Sequence, residues 1–361
     1  METIQGNKNT EQNNEQHNFS KATKSFLLSL NCILVAVGSL AGPLLMRLYY
    51  LHGGKKRWLS SWLLTAGFPL LLFPISVSFF RNRKNNSRTT MIFVTPWLVM
   101  ASAFLGFMLG ISVYLYSIGI SYLPISTYSL LCTTQLAFTA IFAFLVVKHK
   151  FTHYSINAVV LMILGSAILG LHLDGDRPNG VSDDKYMFGF FMTIVGSAIH
   201  GFMFPAVEYT HMKAGVPVTT NIVMQIQFLI MMFATLFCTV PMIINKDFQG
   251  IAQESKEFGL GARNYFMIIL FGGLSLQMNV LGSLGVIFCS SSLFGGILTA
   301  SLVPVQQICA VIFIGEKFAA ENGIALAMCL WAFISYFYGQ YKVNHKRKKA
   351  WINHEEEQVA V

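Results

Sequence analysis

The sequence predicts an all-α integral membrane protein: ten transmembrane helices arranged as two inverted five-helix repeats, both termini cytoplasmic. Three observations predict it. Of 361 residues, 54% are hydrophobic and 11% charged, whereas soluble domains carry about a quarter charged residues. Apolar runs of about 20 residues, the length that crosses a bilayer as a helix, recur along the chain. The two halves also end alike. Ser121-Tyr-Leu-Pro-Ile-Ser-Thr127 opens an apolar run to Val147, followed by the knot Lys148-His-Lys-Phe151 and the run 155–173. Cys289-Ser-Ser-Ser-Leu293 opens one to Ile314, followed by Gly315-Glu-Lys-Phe318 and the run 322–341. Repeated hydrophobic halves are how many transporters are built, with substrate held between the halves.

Residues 1–25 are rich in Asn, Gln, Glu and Lys and lack a signal peptide's apolar core, so a disordered cytoplasmic tail is expected. The first repeat is assigned to 26–173, with spans near 26–50, 58–80, 97–120, 126–147 and 155–173. The acidic stretch 174–185 separates the repeats. The second repeat, 186–342, holds spans near 186–208, 219–245, 264–288, 292–314 and 322–342, and 343–361 forms a second tail. Tight links at 121–125 and 289–291 make antiparallel hairpins, while 245–263 is a longer mixed loop. Five spans per half is an odd number, so the second half starts from the opposite side and must be inverted. Lys and Arg near the spans favour cytoplasmic termini, chiefly through Arg81, Arg83, Lys84, Arg88 and the tail Lys346-Arg-Lys-Lys349. The basic loop Gly53-Gly-Lys-Lys-Arg57 runs against this bias. The sequons at Asn18 and Asn85 fall inside on this topology and are expected to be unglycosylated.

Intramembrane polar side chains are costly and tend to face the protein interior or a water path. Here they are Gln135, His200, Glu208, Gln225, Gln227, Gln277, Asn279, Gln306 and Gln307, concentrated on spans 4, 6, 7, 8 and 9. Any one amide is accounted for equally well by an interhelical hydrogen bond; the set together suggests a shared polar cavity. Amides carry both donors and acceptors and suit the edge of a heterocycle. The expected substrate contacts are Gln135, Gln225, Gln277, Asn279 and Gln307, with Tyr114 as a stacking surface. Glu208, the one carboxylate well inside an apolar run, is the expected proton carrier, though an interfacial ion pair accounts for it equally. Arg47 at the end of span 1 is either a functional cation or a snorkelling one. His200 reads more readily as a helix contact than as a proton relay. Pro43, Pro69, Pro205, Pro241 and Pro304 fall within spans, where they break the backbone ladder and leave carbonyls unpaired near a cavity.

Other classes are excluded on the same grounds. The net charge of +9 comes from basic residues at the edges of apolar runs, so it is a juxtamembrane signal and no nucleic-acid partner is expected. The six cysteines lie inside apolar segments without CxxC pairing, which argues against a disulfide framework or a metal site. HExxH, GxSxG and P-loop motifs are absent, so neither an enzyme nor a cofactor is expected.

The sequence resembles the plant purine permeases, a branch of the drug/metabolite transporter superfamily. The resemblance runs from about Gly42 to Lys342 and rests on several stretches in order: Arg47-Leu-Tyr-Tyr-Leu-His-Gly-Gly54, Tyr122-Leu-Pro-Ile-Ser-Thr127, Gln135-Leu-Ala-Phe-Thr-Ala, Ser155-Ile-Asn-Ala158, Gly285-Val-Ile-Phe-Cys-Ser-Ser-Ser-Leu293, Glu316-Lys-Phe318 and Trp331-Ala-Phe-Ile-Ser-Tyr-Phe-Tyr-Gly339. The basic loop 53–57 looks like a family feature. The resemblance implies ten helices and proton-coupled uptake across the plasma membrane. Implied substrates are adenine, cytokinins and related bases, or in some members alkaloids such as nicotine and benzylisoquinolines, or vitamin B6 compounds. Many members have Glu where this chain has Gln225, and Glu after the Pro-Val of span 9, where it has Val303-Pro-Val-Gln-Gln307. Both departures remove a carboxylate and hold the alkaloid branch nearly level with the purine branch. The expected function is therefore proton-coupled uptake of a planar nitrogen heterocycle by alternating access, with the substrate, protons and the lipid bilayer as partners. A nucleotide-sugar-type antiporter ranks lower, because it calls for Lys or Arg in the cavity. A non-pumping membrane ligand sensor is the alternative from another class.

Overall fold

The computed structural model describes residues 2–72, 75–76, 95–148, 153–171, 181–213, 220–290, 292–316 and 320–359. Among them every regular element is helical. In lipid no water is available to satisfy backbone groups, so apolar runs must close their own hydrogen bonds as helices. The first half of the chain contributes α1 (Glu2–Leu51), α2 (Arg57–Thr65), α3 (Pro96–Tyr122), α4 (Ile125–Val147) and α5 (His153–Leu171). Then follow α6 (Asp183–Met212), α7 (Thr220–Ile244), α8 (Asp247–Glu257), α9 (Ala262–Cys289), α10 (Ser292–Ser301), α11 (Val303–Cys309) and α12 (Ala320–Val359). Among the described residues seven helices are long and apolar enough to cross a membrane, including Ser25–Leu51 of α1 and Ala320–Val343 of α12.

Two expected spans are interrupted, for the same reason. The span expected at 58–80 stops as an α-helix at Thr65 and continues as a 3₁₀ turn over Phe68–Leu71, where Pro69 lacks the N–H needed to carry the ladder on. The span expected at 292–314 breaks at Leu302, because Pro304 has no N–H to donate to the carbonyl four residues before it. It then ends in a π turn, Ala310–Ile314, closed by Gly315 at φ 72°, a left-handed angle natural to glycine. The loop expected at 245–263 contains α8, an amphipathic helix. The segment 77–94, with Arg81, Arg83, Lys84, Arg88 and Asn85, lies outside the described residues. So do 149–151, 174–180 and 317–318 of the stretches singled out in the sequence.

α1 lies along α9, α3 packs on α6 and α7, α4 on α6, α5 on α12, and α2 on α3, α7 and α9. The α1–α9 contact is close because glycines line it: a Cβ on Gly38 would overlap the backbone N of Asn279, and one on Gly282 would sit 2.8 Å from Asn31 O. The main apolar core lies between α3, α6, α7 and α9, with Leu105, Leu109, Val113, Met203, Ile226, Ile230 and Val280 at its centre. Outward faces carry exposed Phe104, Leu145, Ile163, Phe191, Leu270, Phe313 and Ile334. Water would penalise such a surface, whereas lipid solvates it.

The structure also accounts for the anomalous basic loop. Lys56 pairs with Asp247 of α8 at 3.1 Å, and the Arg57 guanidinium lies 4.5 Å above the Tyr122 ring while its Nε donates to Ser121 Oγ. Two of the loop's cations, Lys56 and Arg57, are thus held by specific partners.

Candidate binding cavity

A cavity of about 150 Å³ lies in the middle of the bundle. Its walls come from both halves: Ser39 and Pro43 on α1, Tyr116 on α3, Tyr128 and Gln135 on α4, His200 and Phe204 on α6, Asn279 on α9, Thr299 on α10 and Gln306 on α11. These positions recur at helical spacing on each element, so each helix presents one stripe to the cavity.

One wall is aromatic. Tyr128, Tyr116, His200 and Phe204 form a chain of ring contacts with centroid separations of 6.1, 5.8 and 5.5 Å. Tyr116 donates to Ser197 Oγ at 3.3 Å, which fixes its ring. Most cavity hydroxyls are already committed. Ser129 donates to Ser126 O, Thr133 to Leu130 O and Thr299 to Gly295 O, each within its own helix. The polar groups left to engage a guest include amides and the His200 ring, whose Nδ1 lies 3.5 Å from Ser112 Oγ. Gln135 Nε2 is buried and lacks a hydrogen-bond partner among the described residues. Asn279 faces the same space, its Oδ1 accepting a long 3.4 Å bond from Ser283 Oγ. Among the described residues no Lys, Arg, Asp or Glu lines the cavity. No group of His, Cys, Asp and Glu among them could hold a metal ion.

Of the expected contacts, Gln135 and Asn279 face this cavity and five other residues sit elsewhere. Gln277 is buried in the α9–α2 contact, where Nε2 donates to Leu63 O at 2.9 Å and to Leu64 O. Those carbonyls are orphaned where α2 stops, and the amide satisfies them. Gln225 is buried on α7 away from the cavity lining, and its neighbour Gln227 donates to Leu281 O at 2.9 Å, tying α7 to α9. Gln307 is almost wholly buried beside Gln306, with neither amide atom partnered among the described residues. Tyr114 stacks on Trp58 at 3.7 Å and 12°. Glu208 is half-buried near the end of α6, next to the cavity residue Val207. His200, Tyr116, Tyr128 and Gln306 join the cavity without having been expected as contacts. The signal was present for the tyrosines, which flank the α3–α4 hairpin, but sequence alone does not say which ring turns inward.

A multi-pass helical membrane protein with an uncharged aromatic and amide cavity between its halves is built as a small-molecule transporter. Comparison with known proteins agrees. The family described as purine nucleobase transmembrane transport matches residues 26–346. Purine permease 3 of Arabidopsis thaliana is 40% identical over 92% of this chain and 95% of its own length. Purine permease 2 from the same plant is 41% identical over 90% and 95%, and probable purine permease 5 is 33% identical over 84% and 83%. The chain belongs to the purine permease family, and it is a membrane transporter rather than an enzyme.

Proposed function

We propose that the protein carries a small, neutral, planar purine base across the plasma membrane in symport with protons. The observation that carries this reading is the cavity itself: rings to stack on, amides to pair with a heterocycle edge, and no charge among the described lining residues. Its size favours a purine over a benzylisoquinoline, because a cavity of about 150 Å³ is the class that holds a single ring such as benzene. A purine is only one fused ring larger, whereas a benzylisoquinoline adds a separate aryl arm. The lack of cations among the described lining residues counts against a nucleotide-sugar antiporter, whose diphosphate needs Lys or Arg.

Alternating access would rock two inverted five-span halves around this cavity, with both termini cytoplasmic. The packing pattern supports that arrangement. Exchange α1 with α6, α3 with α9, α2 with α7, α4 with α10–α11, and α5 with α12. The α1–α9 contact then becomes α6–α3, and α2–α9 becomes α7–α3, both of which occur. The α2–α7, α5–α12 and α4–α10 contacts map onto themselves, as pairs on a two-fold axis must.

Within this reading Gln135 and Asn279 hold the base. Gln225 and Gln277 brace the helices behind the cavity wall, Gln307 is buried one position out of register from the cavity-lining Gln306, and the Tyr114–Trp58 stack stiffens α3 against α2. Glu208 is assigned as the proton carrier because it is a carboxylate set within an apolar run of α6, one residue on from the cavity-lining Val207. Purified protein in proteoliposomes, offered radiolabelled adenine and a benzylisoquinoline side by side, is expected to accumulate adenine only under an inward proton gradient. Alkaloid uptake with little adenine uptake would overturn the substrate assignment. Glu208→Gln is expected to abolish accumulation while sparing adenine exchange; accumulation that survives the change removes Glu208 from the coupling step.

A further inference from the structure

At one end of the bundle a buried ion pair joins the two halves directly above the cavity. The Glu316 carboxylate accepts hydrogen bonds from the backbone N–H of Ile125 at 3.0 and 2.8 Å and of Ser126 at 3.3 Å. These are unsatisfied donors at the start of α4, whose N-cap, Pro124, has no side chain able to accept them. Arg47, on α1, lies 3.4 Å from the same carboxylate through Nε. Its Nη1 donates to Ile120 O at 3.1 Å and to Ser121 O at 3.5 Å, the carbonyl end of α3. The anion therefore sits on a positive helix end and the cation on a negative one. Arg47 is 3% exposed, which excludes the snorkelling alternative.

Each latch element reaches the cavity within about one helical turn, roughly 5.4 Å along the axis. Pro43 precedes Arg47, Tyr116 precedes Ile120, and Tyr128 follows Ile125; all three line the cavity. Glu316 itself comes from the second half, just after the π turn and the left-handed Gly315. π turns of this kind occur frequently at functional sites.

We propose that Arg47 and Glu316 are the latch that closes the outer end of the transport path. The outer assignment rests on the topology proposed above. Breaking one half of a buried pair strands the other charge, so loss of either partner destabilises the closed end relative to an open, hydrated one. A static brace would not change which side of the membrane reaches the cavity.

The native Cys132 provides the readout, because it lines the cavity and is partly accessible. Intact cells expressing the full chain are exposed to a membrane-impermeant methanethiosulfonate, and modification of Cys132 is followed by peptide mass spectrometry. Cys132→Ser serves as the blank, and permeabilised cells set the full signal. Glu316→Gln and Arg47→Gln are each expected to raise the outside labelling rate about tenfold or more, as a one-decade shift of population toward the outward-open state gives. Unchanged outside labelling in both variants overturns the latch. If a single variant fails to reach the surface, the paired Arg47→Gln/Glu316→Gln change leaves no stranded charge and is read the same way. The labelling needs no transported substrate, so its outcome is separate from whether a purine is carried.

Discussion

Gly38→Leu is expected to remove nearly all correctly assembled protein from the membrane. A Cβ at this position would overlap the Asn279 backbone N and lie 2.5 Å from Ser275 O. Neither is a side-chain tip that can rotate away; both belong to the main chain of α9. A leucine would force α1 and α9 apart along the most extensive helix contact in the bundle. Overpacking a close contact costs about 1–3 kcal/mol when side chains can give way, and more when backbone must move. Because a membrane bundle depends on such contacts and gains little hydrophobic drive between helices, the whole assembly is at risk. Fluorescence-detected size-exclusion chromatography should show the monodisperse peak collapse.

Gly42→Ala is the matched control. Its Cβ would meet Leu276 Cδ2 at 2.7 Å, the flexible end of a side chain, so a rotamer change relieves it. The variant should elute as wild type with a small loss of melting temperature. If the two variants behave alike, the close approach of α1 to α9 does not govern assembly. The contact also bears on function: Asn279 faces the cavity only while α1 stays this close, since Ser39 and Pro43 form the opposite wall.

The helices themselves were legible because hydrophobic length is a strong signal: each run expected at 97–120, 126–147, 186–208, 219–245 and 264–288 corresponds to one continuous helix. The broken elements were legible only in part. Pro69 and Pro304 announced interrupted ladders, but where the freed carbonyls would go depended on Gln277 arriving from a distant helix. The site shows the same division. That amides cluster on a few spans follows from the cost of burying them, so a polar cavity could be inferred. Which amide faces the guest depends on helix rotation, and one residue of register decides it: Gln306 lines the cavity and Gln307 does not. Low periodicity in such uniformly apolar helices leaves that rotation unwritten. The Arg47–Glu316 pair was equally hidden, because each residue alone reads as an interfacial charge and only the tertiary fold brings them together.

Gln135→Leu separates a ligand-binding amide from a structural one by the sign of two measurements. Gln135 Nε2 is buried and without a hydrogen-bond partner among the described residues. An unsatisfied buried donor costs about 1–3 kcal/mol, so its removal in favour of an apolar side chain of similar size should not weaken the empty protein. The melting temperature of ligand-free protein is expected to stay the same or rise. Adenine binding should move the other way: loss of one buried hydrogen bond to the base edge raises the KM for adenine uptake by about 10- to 100-fold. Stabilisation of the protein by added adenine should shrink in parallel, because ligand stabilisation follows affinity. A brace would give the reverse pattern, a lower melting temperature with KM unchanged. Gln277→Leu should show that reverse pattern, since its amide already satisfies two carbonyls at the end of α2. The pair of variants therefore tests both halves of the argument: the unpartnered amide belongs to the substrate, and the partnered one belongs to the fold.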